Sequence, residues 1–104
     1  MTTIRAYHGG EIDGATWFTT DRDHASLFGP VTEVELESSI DPLRLSADDV
    51  EALVGFGGGY ESDARLWTHI NAADASWAIL DGWEGAGLCI IIREPQYVRV
   101  TEVE

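Results

Sequence analysis

The chain is poor in cysteine and in positive charge. Cys89 is the single cysteine among 104 residues. No internal disulfide framework can form, and a reducing, cytoplasmic setting is expected. Within the apolar run LCIII, Cys89 reads as a small buried hydrophobe. Lysine and arginine together number six, against nineteen acids, for a net charge of −13. That balance repels a phosphate backbone and excludes direct nucleic-acid binding. No apolar stretch approaches the roughly 20 residues of a membrane span, so no membrane partner is expected. The opening MTTIRAYHGG lacks the basic start and apolar stretch of a secretory leader. His8, His24 and His69 lie far apart, and no Cys/His cluster or ligand spacing suggests a metal. The glycine run GFGGG at 55–59 lacks the Lys-Ser/Thr ending of a phosphate loop. There is no internal repeat and no low-complexity segment.

What is there fits one globular domain over residues 1–104. Apolar residues make up 44% of the chain, enough for one modest core. The acidic excess has two readings: solubility, or an acidic face that docks on a basic protein partner. TIRAYH (3–8) is rich in strand formers, with Ile4, Ala6 and His8 on one face. GEIDG (10–14) is turn chemistry, and ATWF (15–18) reads as a short strand. VTEVELE (31–37) alternates, with Thr32, Val34 and Leu36 facing one way and three glutamates the other. LCIII (88–92) reads as a buried strand and YVRVTEV (97–103) as a final one.

Helix signals fall between these strands. Thr20 followed by Asp23 resembles a capping box for a helix over about 21–28. Ser46 with Asp49 repeats the signal for a helix over about 47–54. Leu66, Ile70, Ala73, Trp77 and Leu80 recur at helical spacing, which predicts a longer helix over about 62–80. Trp67 and Trp77 read as core. This is not a regular βαβ alternation, so the fold class is α+β.

The opening third carries a pattern beyond secondary structure. Tyr7-His8-Gly9 ends the first strand, Trp17-Phe18-Thr19 forms the second, and Ala25 with Phe28 follows in the helical stretch. This succession resembles the ADP-ribosyltransferase fold of the His-Tyr-Glu branch. In length and order the chain is similar to small phage anti-CRISPR ADP-ribosyltransferases. The resemblance covers most of the chain. It implies a split β-sheet with short helices and one longer helix, NAD as the ADP-ribose donor, and a host protein as acceptor. It implies that His8 bonds a ribose hydroxyl and that Gly9 lets its backbone approach the nicotinamide carboxamide. Trp17 and Phe28 would sandwich the nicotinamide ring, with Thr19 completing the set. The same types of residue also make ordinary core, and both readings stand at this point.

The acid is where the chain departs from the pattern. Relatives open the penultimate strand with a carboxylate that orients the ribose, and here Leu88 holds that place. Glu84, four residues earlier in a glycine-rich loop, is the candidate acid, with Asp81 second. Two functions follow. One is an NAD-dependent mono-ADP-ribosyltransferase modifying a host protein as a counter-defence factor. The other is a catalytically inactive acidic module that inhibits a basic, nucleic-acid-binding partner by direct binding.

Overall fold

The structure, a computed structural model, describes residues 1–54, 60–81 and 87–103. The glycine run at 55–59 and the loop segment 82–86 lie outside the described residues. Among the described residues the architecture is α+β, one mixed seven-stranded sheet with three short helices. The strands are β1 (Thr2–Gly9), β2 (Trp17–Thr19), β3 (Val31–Ser38), β4 (Leu43–Leu45), β5 (Trp77–Asp81), β6 (Leu88–Ile92) and β7 (Arg99–Glu102). The helices are α1 (Arg22–Ser26), α2 (Ala47–Val54) and α3 (Tyr60–Ala72). The sheet order is β4-β5-β6-β2-β1-β3-β7, hydrogen-bonded as one sheet rather than split in two. β4 runs parallel to β5, and the other neighbours pair antiparallel.

Strand alternation assigns every side chain to a face. One face carries Ala6, Phe18, Val34, Leu36, Trp77, Ile79, Ile90 and Ile92, which form a single buried cluster. β3 and β4 stand five places apart in the order, yet β3 ends at Ser38 and β4 begins at Leu43. A flat sheet would separate them by about 24 Å, and five residues of extended chain reach about 18 Å at most. The sheet therefore curls around this face. Val98 of the β6–β7 connection adds to that core, and Ser38 Oγ donates to Tyr97 O at 2.6 Å. The fully buried Trp77 donates its indole N–H to Ile40 O at 2.8 Å, so its polar atom is satisfied too.

The other face is covered in two places. α2 and α3 place Val50, Leu66 and Ile70 over Leu45, Ala78, Leu80, Cys89 and Ile91. α1 lies over β1 and β2 through the fully buried Ala25. Beyond α1 the face is open, and Arg5 there meets Glu33 and Glu35 at 3.7 and 3.9 Å.

The helix expected over 62–80 is two elements. α3 stops at Ala72, and Asp74 takes a left-handed conformation with φ 52°. Ala75 N donates to Ile70 O and Asp74 N to Asn71 O, which is a Schellman ending. Leu66 and Ile70 are buried on α3, while Ala73 is exposed; Trp77 and Leu80 reach the core from β5 instead. The helical spacing was genuine for two residues and coincidental for three. α1 is capped by Asp21, not Thr20. Asp21 Oδ1 accepts from Asp23 N at 3.0 Å and His24 N at 3.2 Å. Thr20 is taken up by β6 instead, as its hydroxyl accepts from Leu88 N. The Ser46–Asp49 box forms as expected, with both reciprocal bonds at 3.2 Å. β2 sits slightly later than 15–18, and β7 is shorter than 97–103 because Pro95–Tyr97 forms a 3-10 turn. β4 was not anticipated; three residues with an exposed Arg44 at their centre leave no periodicity to read.

Candidate functional site

The site begins where β1 ends. Period-two alternation turns Ile4, Ala6 and His8 toward the curled core, and Arg5, Tyr7 and Gly9 toward α1. The adjacent residues His8 and Gly9 therefore look in opposite directions from the same strand end.

His8 is held by main chain on both sides. Nδ1 lies 2.8 Å from Trp17 O, in a part-buried contact between strands. Nε2 lies 2.8 Å from Glu11 O, in an exposed contact with the turn. The ring also tilts against Phe18 at 5.6 Å. The turn itself is built by Gly10 at φ 100° and Gly14 at φ 74°, with Ala15 N donating to Ile12 O.

On the α1 side three rings meet. Trp17 contacts Phe28 edge-on at 5.2 Å and His24 at 5.7 Å, and His24 contacts Phe28 at 5.5 Å. Trp17 and Phe28 thus come together as the resemblance implies. They touch each other, however, with no slot between them. A ring sandwiched by both needs about 7 Å, two van der Waals layers. Phe28 is 56% exposed, so its side chain has solvent to swing into. His24 was missed in the sequence. Its signal was the spacing of four to Phe28, which brings the two rings together at the end of α1. Arg22 was missed as well, and its guanidinium lies 5.7 Å over the Tyr7 ring.

Gly9 and Thr19 have packing roles in this arrangement. A Cβ on Gly9 would fall 1.8 Å from Ala25 O, so only glycine lets α1 settle on β1. Thr19 is fully buried and its hydroxyl accepts from Asp21 N at 3.1 Å, which turns β2 into the cap of α1.

Glu84 lies outside the described residues. Thr20 N–H donates to Leu88 O at 2.9 Å, and the Thr20 hydroxyl accepts from Leu88 N at 2.8 Å. Leu88 is half-buried against the curled core, as an apolar residue in that place must be. Its ladder partner is Asp81, which is exposed and follows Trp77 and Ile79 on the face that also carries His8. Among the described residues no group of three or more His, Cys, Asp or Glu gathers for a metal. No helix there is long and apolar enough to cross a membrane. A groove of about 530 Å³ between α2 and α3, lined by Leu53, Arg65, Thr68 and His69 among others, touches none of these residues and has no part in the site.

Comparison with protein-family models, curated proteins and solved structures gives no match.

Proposed function

We propose that the chain is an NAD-dependent mono-ADP-ribosyltransferase that modifies a host protein, acting as a phage or mobile-element counter-defence factor. What carries the reading is the strand end at His8. Nδ1 is tied to Trp17 O, so the ring is oriented by one nitrogen and addresses the exposed side with the other. The Trp17–Phe28 pair lies at the same strand end on the opposite face of the sheet, and Leu88, four residues after Glu84 in the sequence, is fastened to Thr20 just beyond the same short strand. Cleaving the bond between nicotinamide and ribose builds positive charge on the sugar, as in glycoside hydrolysis. His8 would orient the ribose, Trp17 and Phe28 would hold the nicotinamide ring, and Glu84 would stabilise the charge and activate the acceptor. For this the Trp17–Phe28 contact must open and His8 must exchange Glu11 O for a hydroxyl.

A second reading is a non-catalytic acidic inhibitor of a basic, nucleic-acid-binding partner. Its support is the open sheet face, where Glu33, Glu35 and Glu37 of β3 stand in a row with Arg5 as a partial counter-charge. Labelled NAD incubated with purified protein and host lysate separates the two. A modified protein band is the outcome expected of the enzyme. No transfer, with salt-sensitive capture of a basic protein, is the outcome expected of the inhibitor.

A further inference from the structure

Both ring nitrogens of His8 face the same kind of partner. Trp17 O and Glu11 O each lie 2.8 Å away, and a carbonyl oxygen can only accept. Both contacts are hydrogen bonds only when both nitrogens carry protons, that is, on the imidazolium. A neutral ring has one N–H. It satisfies one carbonyl and turns a lone pair on the other.

The two carbonyls are not equivalent. Trp17 O belongs to a sheet strand and its contact is part-buried. Glu11 O belongs to a solvent-facing turn with a glycine on either side, at 10 and 14, and its contact is exposed. When the proton leaves, the turn is the part that can yield. From these contacts we infer that His8 is a proton-operated latch. The charged ring shuts the 10–16 turn against the end of β2. The neutral ring keeps its Nδ1–H bond to Trp17 O, releases Glu11 O and presents Nε2 as an acceptor for a hydroxyl.

The consequence for a ligand rests on the ADP-ribosyltransferase reading. The Glu11 contact occupies the nitrogen that would receive a ribose hydroxyl, so the latched form excludes the donor. Binding to the latched form must release one proton. NAD affinity therefore rises with pH, by about tenfold per unit below the midpoint of the latch, and is flat above it.

Among the described residues, few other charges lie near His8; on its own sheet face, β5 ends in the exposed Asp81. The turn brings the exposed carboxylates of Glu11 and Asp13. β2 brings Trp17 and Phe18, and β3 places the uncharged Thr32 opposite His8. On α1, His24 meets Trp17 from the other side of the sheet.

The test uses the whole chain with 15N-labelled histidine, observed by NMR between about pH 5 and 8. At the acid end His8 should show protons on both nitrogens. Toward the alkaline end it should keep Nδ1–H alone, and the amides of residues 11–15 should shift with the same midpoint. The same two-state change should persist in a Glu11→Gln, Asp13→Asn double variant. A single unchanging tautomer across the range overturns the latch, and so does loop movement that disappears in the double variant. NAD titrations followed by Trp fluorescence address the second half. Affinity that does not change with pH overturns the exclusion. Failure of NAD to bind at any pH, with the latch seen by NMR, overturns the enzymatic reading and leaves the latch in place.

Discussion

Replacing Gly9 by alanine tests how α1 is seated. The new methyl carbon would sit 1.8 Å from Ala25 O, 2.8 Å from Ala25 C and 3.2 Å from Phe28 Cβ, where ordinary contact begins near 3.4 Å. The obstacle is helix main chain, which has no rotamer to move aside. α1 must back away, and the fully buried Ala25 loses its cover. Overpacking of this kind costs about 1–3 kcal/mol, and a main-chain clash belongs at about 3. In a domain of this size each kcal/mol is worth about 4–8 °C, so the melting temperature should fall by roughly 12–24 °C. Gly14→Ala is the control. Its methyl meets nothing within 4 Å, and only the φ of 74° opposes it, at about 1–2 kcal/mol. Denaturant melts of both variants would settle the matter. If Gly9→Ala melts with the wild type, or less destabilised than Gly14→Ala, the close approach of α1 to β1 is wrong.

Trp77→Ala should cost roughly 3–5 kcal/mol, and Trp77→Phe, which keeps one ring but removes the N–H bond to Ile40 O and leaves a smaller cavity, should cost less than Trp77→Ala; urea titrations measure both. Asp21→Ala removes the cap of α1 and should cost about 1 kcal/mol, while Thr20→Ala should leave the helix cap intact and loosen Leu88, as read by amide hydrogen exchange. On the proposed transferase reading, Glu84→Gln should reduce ADP-ribosyl transfer by about a hundredfold or more and leave NAD affinity within about tenfold; full transfer by Glu84→Gln with loss in Asp81→Asn would move the acid to Asp81.

The parts of the fold legible in the sequence were those with a local cause. The alternation in β3, the reciprocal box at Ser46 and Asp49, and the apolar run of β6 each carry their own signal, and each forms where expected. The long helix failed because Leu66, Ile70 and Trp77 are all buried, but in different elements. Burial mimicked periodicity across a turn whose marker is a non-glycine residue, Asp74, at positive φ. The cap of α1 failed because two competing oxygens, Thr20 and Asp21, are adjacent, and the demand that settles between them comes from Leu88, far along the chain. The same holds at the site. The types His8, Trp17 and Phe28 were legible, and so was the meeting of Trp17 with Phe28; that His8 would turn to the opposite face of the sheet was not. That His8 would be flanked by two carbonyls, and that Gly9 would be filled by a helix carbonyl, depend on contacts between segments that carry no trace in the local sequence.

β2 is three residues long, and it alone joins β1 to β6 in the sheet order. Its ladder ties residues 17–19 to 89–91, closing a loop of roughly seventy residues at an entropic cost that grows with the logarithm of loop length. Such pairings slow folding relative to local hairpins. Trp17 lies on this seam. A ligand held by Trp17 would therefore bind only the state in which the two ends of the chain are already stitched together. By mass action it would stabilise the folded chain as a whole, so occupancy could be read from the unfolding temperature alone.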